Sequence, residues 1–295
     1  MGLTLADRQG SNEGILMAKV DSVRTASPSD EYRVTIVKYG TRDVNRRDVY
    51  LNYQLYNEPN APIGMDYFFW LIQNDDRTIV VDTGFSQAGG EKRQRTTLYP
   101  VAQLMNDFGV DPASAPDIIV THAHYDHIGN LDLFPTSTIV IAQQELDFWK
   151  GPHAHRTMFH HSVEDDDLRY LSQAVKEERV HTFSDHLGLV SGVEIIEVGG
   201  HTPGQLMVKV NTSEGVVLLA SDAIHYYEEY ERDMLFMSVA SLVGMYEGFD
   251  RVRRMEESGE IDILVSGHDP DTLARFTPVD GEYRDVAAVI GGSRE

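Results

Sequence analysis

The chain has 295 residues, no cysteine and a formal net charge of −22, from 47 acidic and 25 basic residues. The lack of cysteine excludes disulfides, thiolate metal ligands and a cysteine nucleophile. The negative charge repels phosphate backbones and anionic membranes, so we expect neither nucleic acid nor a membrane as a partner. The sequence has no apolar run long enough to span a bilayer and no leader pattern at its N-terminus, which predicts a cytoplasmic protein.

The sequence predicts a single domain. No linker rich in proline, glycine or serine divides the chain, and we place the domain at residues 31–295. Residues 1–30 are polar and patternless, and we expect them to be irregular. Loop insertions are expected at residues 40–64 and 150–181.

Strands are predicted first over residues 32–39, 66–72 and 78–81, where apolar and aromatic residues predominate or alternate with polar ones. The loop at 40–64 separates the first two strands and is rich in tyrosine. It fits either surface packing or a flap beside a binding pocket. As a flap, it would give the pocket an apolar wall made of Tyr50, Tyr53, Tyr56, Met65 and Phe68.

Strand and helix alternate through the middle of the chain. Apolar residues recur at intervals of three and four over residues 96–108, which predicts a helix. Strands are predicted over residues 117–121 and 137–142, and a second helix begins at residue 143. This alternation is typical of the α/β class.

Four potential metal ligands follow the strand at 117–121, namely His122, His124, Asp126 and His127. Imidazole and carboxylate together suit a borderline cation such as zinc. In an extended or turning segment, residues two apart point the same way, so His122 and His124 can converge on one ion. Asp126 and His127 can then turn toward a second ion.

Four further histidines lie between residues 150 and 181, but no other ligand pattern accompanies them. We therefore predict surface or helix-capping roles rather than metal binding for His153, His155, His160 and His161.

Three more potential ligands each follow a predicted strand. His201 follows residues 193–198, Asp222 follows 216–220, and His268 follows 261–265. One such residue is usually structural, but three in a chain that already has a histidine cluster indicate a shared site. We predict a two-metal site in which His122, His124 and His201 bind one ion, Asp126, His127 and His268 bind the other, and Asp222 bridges both.

These motifs resemble the metallo-β-lactamase superfamily. The matching residues are Asp82 to Gly84, His122 to His127, His201 to Gly204, Asp222, and Gly267 with His268, and they span roughly residues 66–270. The resemblance implies an αββα sandwich of two mixed β-sheets with helices on the outer faces. It also implies that Asp82 anchors a ligand histidine.

Within the superfamily, the chain is most similar to the N-acyl homoserine lactonases, on the evidence of Gly267-His268-Asp269 and residues 221–226. One position differs. Those enzymes carry a tyrosine three residues after the bridging aspartate, whereas this chain has His225 there, followed by Tyr226. His225 or Tyr226 would hydrogen-bond the substrate carbonyl, and packing beside Asp222 is the alternative for both.

We therefore predict a metal-dependent hydrolase that opens a lactone, with hydroxide formed between two divalent ions as the nucleophile and Asp126 as the proton donor. Zinc is the expected metal, and manganese, iron and cobalt also suit these ligands. The substrate is a small molecule, and a homo-oligomer is left open.

Other hydrolase classes share parts of this pattern. A thioester hydrolase of the glyoxalase II type shares the seven ligands, but its basic C-terminal region is not evident in residues 271–295. A β-lactamase proper lacks the bridging aspartate, and a nuclease or phosphodiesterase is opposed by the negative charge. A hydrolase of another cyclic ester or amide stays open.

Overall fold

A computed structural model describes residues 31–292 of the chain. The prediction for residues 1–30 falls outside this range. The described residues form two β-sheets and eight α-helices. The helices are α1 (Gln87–Lys92), α2 (Val101–Asp107), α3 (Tyr125–Ile128), α4 (Gln143–Lys150), α5 (Thr157–His160), α6 (Asp165–Lys176), α7 (Tyr227–Glu231) and α8 (Leu242–Ser258).

The larger sheet has nine strands. They are β1 (Arg33–Arg42), β2 (Met65–Asn74), β3 (Arg77–Val81), β4 (Thr96–Thr97), β5 (Asp117–Ile119), β6 (Ile139–Ala142), β7 (Val180–Phe183), β13 (Thr277–Pro278) and β14 (Ala287–Ile290). Their order is β13-β14-β1-β2-β3-β5-β6-β7, and β4 also pairs with β1. Strands β3, β5, β6 and β7 run parallel, and the other pairs are antiparallel.

The smaller sheet has five strands in the order β12-β11-β10-β9-β8. They are β8 (His186–Val190), β9 (Val193–Glu197), β10 (Leu206–Thr212), β11 (Gly215–Leu219) and β12 (Ile263–Val265). Only the β11–β12 pair of this sheet is parallel. Both sheets are therefore mixed.

Strand β2 shows how the layers stack. Its residues Phe68, Trp70 and Ile72 join a core shared with Ile195 of β9 and Val208 of β10, so one face of the large sheet packs on the small sheet. The intervening residues of β2, Tyr67, Phe69 and Leu71, belong to the core beneath α2, α4 and α6. Alternate side chains of a strand point to opposite faces, so both faces of β2 are buried, and its residues 67–72 are all apolar or aromatic.

Helix α8 covers the outer face of the small sheet. Its residues Met245, Phe249 and Val252 join a core with Met207 of β10 and Leu218 of β11. The layers are thus helix, sheet, sheet, helix, which confirms the predicted αββα sandwich. No helix in the described part of the chain is long and apolar enough to cross a membrane.

Two segments differ from the prediction. The helix expected at residues 96–108 begins only at Val101, because Pro100 disfavours helical backbone in the residue before it, and Thr96 and Thr97 pair with β1 instead. The segment 150–181, predicted as a loop insertion, contains helices α5 and α6. The apolar side chains of α6 pack on the core, with Leu171 and Ala174 buried.

The first turn of α6 contains a carboxylate in an unfavourable setting. Burial, with Glu164 and Asp132 nearby, raises the pKa of Asp167 from 3.8 to about 7. Its Oδ2 atom is buried and has no hydrogen-bond partner among the described residues. These effects outweigh the helix dipole, which favours negative charge at this end. The ionised side chain therefore opposes folding.

We predict that Asp167→Asn stabilises the protein in a pH-dependent way. Because the pKa in the folded state exceeds the usual value, the wild type loses stability as the pH rises from about 4 to 7. The variant does not lose this stability, because its side chain cannot ionise. Its melting temperature should therefore exceed that of the wild type by about 2–4 °C at pH 8, after allowance for solvent screening, and by less at pH 5. Thermal unfolding at both pH values measures this, with Asp165→Asn, an exposed position in the same turn, as the control. Equal gains at the two pH values would contradict the prediction.

Candidate metal centre

The candidate site lies at the carboxyl ends of strands from both sheets. Asp82 follows β3, His122 comes shortly after β5, Asp222 follows β11, and His268 comes shortly after β12. Strands β3 and β5 are parallel, as are β11 and β12, so each pair delivers its following loops to one edge of its sheet. His201 joins them from the loop between β9 and β10.

The fold brings all seven predicted ligands together. Their donor atoms form overlapping groups in which every atom lies within 4.8 Å of the others. Three of the four groups contain only these residues, namely His122 with His124 and His201, Asp126 with His127 and His268, and His122 with His127 and Asp222. The fourth adds His225 to His201 and Asp222. All seven residues are buried, and the most exposed, His124 and Asp126, are only 7% accessible.

Asp222 lies between the two triads. Its Oδ1 atom is 3.1 Å from Nε2 of His268 and 3.4 Å from Nε2 of His127. Its Oδ2 atom is 3.3 Å from Nε2 of His201 and 3.7 Å from Nε2 of His122. Each carboxylate oxygen thus faces a different group of histidines.

Several of the donor atoms lack the partners that a cation would provide, although Nε2 of His201 lies within hydrogen-bond distance of Nδ1 of His124, at 3.0 Å. Nε2 of His122, His127 and His268 and Oδ1 of Asp222 are buried and have no hydrogen-bond partner among the described residues. Leaving such atoms unpartnered costs about 1–3 kcal/mol each. Nitrogen ligands of tetrahedral zinc, about 2.0–2.1 Å from the ion, lie roughly 3.4 Å from one another, which is close to the spacings around Asp222.

Electrostatics prepare part of this site for a cation. Burial lowers the pKa of His122 well below its usual value and, despite attraction to Asp222, lowers the pKa of His201 to about 3. Burial opposes ionisation of Asp222, but His268 and His127 outweigh it and hold the pKa of that carboxyl well below its usual value. Neutral His122 and His201 are in the protonation state that metal binding requires. His127 differs, because burial lowers its pKa but attraction to Asp222 and Asp82 outweighs burial and raises the pKa well above the usual value, so a cation bound there would displace a proton.

Asp82 positions the histidine loop. Its Oδ2 atom lies 2.7 Å from Nδ1 of His127 and accepts a hydrogen bond of 2.7 Å from the Thr121 hydroxyl. Its Oδ1 atom accepts the backbone N–H of Thr121 at 2.8 Å. An N–H on Nδ1 of His127 leaves the lone pair on Nε2, which faces the cluster. The predicted anchoring role of Asp82 is confirmed.

His268 is oriented in the same way by the backbone. Its Nδ1 atom donates to the carbonyl oxygen of Asp66 at 2.7 Å, so Nε2 points into the cluster. The preceding residue must be small, because a Cβ on Gly267 would lie 2.5 Å from the carbonyl oxygen of Ser221. This close approach brings the loops of His268 and Asp222 together.

Glu145 was not predicted as a site residue, yet it ties two ligand loops together. It is fully buried in the first turn of α4. Its carboxylate accepts the backbone N–H of Ala123 at 2.9 Å and that of Gly204 at 3.0 Å, and also Nε1–H of Trp149 at 2.7 Å. Nothing in the local pattern of the helix marks Glu145, because its partners are distant in sequence.

His225 lies beside Asp222 but does not line the pocket. Its Nε2 atom is 3.2 Å from Oδ2 of Asp222, and its Nδ1 atom is 3.0 Å from Oε2 of Glu229. Burial lowers the pKa of His225, but attraction to Glu229 and Asp222 outweighs it and raises the pKa to about 9. The ring stacks on Phe236 with centroids 3.8 Å apart. These contacts place His225 behind the Asp222 carboxylate.

Tyr226 lies outside the cluster. Its hydroxyl donates to the carbonyl oxygen of Gly64 at 2.8 Å, and the residue is only 1% exposed. The hydroxyl is therefore turned away from the place where a substrate carbonyl would lie, and the structure favours the packing alternative for Tyr226.

The pocket beside the cluster differs from the predicted apolar wall. Of the five residues expected there, only Met65 lines it. Phe68 lies in the core between the sheets, and the loop tyrosines pack away from the pocket, with Tyr50 and Tyr53 under Arg46. The observed walls combine apolar and aromatic residues with three arginines, namely Met65, Tyr67, Tyr125, Phe236, Met237, Arg42, Arg93 and Arg95.

One of the four histidines assigned to the surface also reaches this pocket. His161 is exposed and lines the pocket, while its Nδ1 atom lies 3.2 Å from the carbonyl oxygen of Thr157, the first residue of α5. It belongs to none of the described donor groups.

Several known proteins are similar to this chain in sequence or in fold. An N-acyl homoserine lactonase of a Bacillus species is 23% identical over 229 residues, covering 72% of this chain and 84% of the relative. A solved N-acyl homoserine lactone hydrolase, with N-hexanoyl-L-homoserine bound at its catalytic metal centre, superposes with a TM-score of 0.68 at 17% identity, covering 82% of this chain and 95% of that one. The dizinc quorum-quenching lactonase AidC superposes with a TM-score of 0.66 at 19% identity, covering 90% of this chain and 96% of that one.

A profile of the Metallo-beta-lactamase superfamily matches residues 65–268, more than half of the chain. This range contains every residue of the donor cluster. The matched range also agrees closely with residues 66–270, over which the sequence motifs resemble that superfamily. The chain therefore belongs to the metallo-beta-lactamase superfamily.

Proposed function

We propose that the protein is a hydrolase that opens a lactone, an N-acyl homoserine lactone or a related cyclic ester, with the help of two divalent cations. The observation that carries this proposal is the convergence of the buried, unpartnered Nε2 atoms of His122, His127 and His268 on the two oxygens of Asp222. The similarity to lactonases, one of them with a ring-opened product at its metal centre, supports the lactone as the substrate.

Under this proposal, His122, His124 and His201 hold one cation, Asp126, His127 and His268 hold the other, and Asp222 serves both. Such cations would supply an acidified water molecule and a Lewis acid for the substrate carbonyl. Zinc suits this mixture of imidazole and carboxylate, and AidC is a dizinc enzyme. Manganese, iron and cobalt accept the same ligand types.

Asp126 is the proposed proton donor to the leaving alkoxide. It borders both the donor cluster and the pocket, so its carboxylate can reach a substrate. Its main chain is fixed by the hydroxyl of Tyr39, which donates to the carbonyl oxygen of Asp126 at 3.0 Å. A carboxylate held in this way can pass a proton without moving far.

His225 is proposed as a positioning residue that acts through Asp222. Glu229 fixes its orientation by accepting from Nδ1 and from the backbone N–H of His225, at 3.0 and 2.7 Å. The opposite ring nitrogen then faces Oδ2 of Asp222. This arrangement differs from a direct contact with substrate, because the ring is covered by Phe236.

A thioester hydrolase of the glyoxalase II type is the second candidate, since the same donor set would serve it. An ester alkoxide can be stabilised directly by a cation, whereas an amine leaving group needs a well-placed proton donor. The site therefore favours esters and thioesters over amides. The similarity to lactonases favours the lactone.

We predict that the purified protein holds about two metal equivalents after metal-replete expression, because each triad of donors has access to one oxygen of Asp222. Elemental analysis measures this. His268→Ala should reduce the content toward one equivalent, whereas His186→Ala, which alters an exposed histidine paired with Glu194, should leave it unchanged. A single equivalent in the wild type would contradict the dinuclear proposal.

We predict that Asp82→Asn weakens metal binding at His127. An amide nitrogen in place of Oδ2 would donate to Nδ1 of His127 and shift its proton to Nε2, the atom that faces the cluster. Loss of such an orienting partner typically lowers metal affinity about 10–100-fold. Metal content after dialysis against a weak chelator should fall below that of the wild type.

Asp117→Asn provides the matched control for this change. It alters a partly buried carboxylate at the start of β5, outside the donor groups. Metal retention by the Asp82 variant equal to that of the control would show that Asp82 does not orient His127.

We predict metal-dependent lactone opening, measured as acid release in weak buffer. A chelator should abolish it, and added zinc should restore it. Asp126→Asn should lower kcat by about 100-fold or more, the contribution typical of a general acid. Metal analysis of the variant shows whether activity is lost with the proton donor alone or because a metal ligand is missing. Efficient cleavage of a thioester or phosphodiester without any lactone opening would overturn the lactonase proposal.

A further inference from the structure

Two arginines in the pocket have no acidic partner. Arg42, the last residue of β1, and Arg95, just before β4, both line the pocket together with Asp126 and Asp222. Neither forms an ion pair with any described residue, and the side chain of Arg42 makes no hydrogen bond there. This is notable in a chain with 47 acidic and 25 basic residues. The guanidinium groups are thus free to bind a ligand.

Arg95 is held in place by neutral acceptors. Its Nε atom donates to the Tyr125 hydroxyl at 3.0 Å, and its Nη1 atom donates to the carbonyl oxygen of Arg93 at 2.6 Å. The guanidinium also lies 5.9 Å from the ring centroid of Tyr67. Nη2 makes no hydrogen bond to a described residue. The side chain is therefore positioned, and Asp126 attracts its charge without forming an ion pair with it.

Arg93, the third arginine of the pocket, has a different role. It forms a salt bridge with Glu164 and stacks over Tyr125, with 3.9 Å between the guanidinium carbon and the ring centroid. It also donates to the carbonyl oxygens of His161 and Val163. Arg93 thus supports the pocket wall, and its charge is already neutralised.

From this arrangement we propose that Arg42 and Arg95 bind an anionic substituent of the substrate, a carboxylate or a phosphate group, while the scissile ester lies at the donor cluster. This deepens the proposed function and rests on it. Guanidinium groups match the planar fork of a carboxylate or the oxygens of a phosphate, and such charge-assisted hydrogen bonds are among the strongest in proteins.

The charge of the whole chain supports this specificity. A net charge of −22 repels a free anion at long range, so an anionic substrate requires a local patch of opposite sign at its site. Arg42 and Arg95 provide that patch. A pocket for a purely apolar acyl chain would not need half-buried guanidinium groups that lack acidic partners, because their desolvation carries a cost.

Matched lactones test the inference with the metal-loaded full chain. N-butanoyl- and N-succinyl-homoserine lactone differ only by a terminal methyl in place of a carboxylate, and the succinamoyl compound is a neutral polar control. The N-(3-phosphonopropanoyl) compound tests the phosphate-like anion. We expect kcat/KM for an acidic lactone to exceed that for the butanoyl and succinamoyl compounds by about tenfold or more, mainly through a lower KM. The more active of the two acidic lactones identifies the preferred anion.

Charge-removing variants locate the effect. Arg42→Met and Arg95→Met should each lower the ratio of kcat/KM between acidic and neutral lactones by about tenfold. Arg254→Met removes the same charge from an exposed position of α8 outside this pocket and should leave the ratio unchanged. An acidic lactone no better than the neutral ones, or variants that lower both activities equally, would overturn the inference.

Calorimetric measurement of the binding of ring-opened products separates the anion-site proposal from the lactonase proposal. N-succinyl-homoserine should bind the metal-loaded protein about tenfold more tightly than N-butanoyl-homoserine, and Arg95→Met should remove the difference. If lactones are opened but no such difference exists, the anion site fails and the lactonase stands. If the difference exists but no lactone is opened, the lactonase proposal fails and the anion site stands.

Discussion

The buried carboxylate of Asp222 is the interaction on which the rest of the site depends. Histidines from separate loops approach its two oxygens, and several of their nitrogens have no other partner in the described structure. Buried donors and acceptors without partners are costly, so a cation that joined these atoms would stabilise the arrangement. The unpartnered atoms are therefore the main structural argument for a metal site.

Two further carboxylates keep the donors in place without joining them. Asp82 holds the loop after β5 to the end of β3, and Glu145 holds that loop to the turn that carries His201. The backbone is also under strain at these joints, since Asp82 and Ser221 adopt φ values of 62° and 47°. Non-glycine residues rarely adopt such angles, and their presence beside a functional site is a recurring pattern.

Charge is distributed differently in the pocket and over the chain as a whole. The net charge of −22 opposes anionic ligands at a distance, yet the pocket presents Arg42 and Arg95 beside the donor cluster. Long-range and local electrostatics thus act on different scales, because salt screens the first over about 10 Å while contacts within a pocket are screened much less. The overall composition therefore indicates the long-range charge of the protein but not the local charge of the pocket.

Eight of the fourteen described strands, the α/β class and the seven residues of the donor cluster could be predicted from the sequence, because each depends on a short pattern. Apolar runs mark the strands, and His122, His124, Asp126 and His127 share a single turn. The sequence alone could not identify Glu145 as a brace, the burial of Tyr226, or Arg42 and Arg95 as neighbours in one pocket. These features arise between residues far apart along the chain, so their contacts exist only once the two sheets and the loops at their edges have packed together.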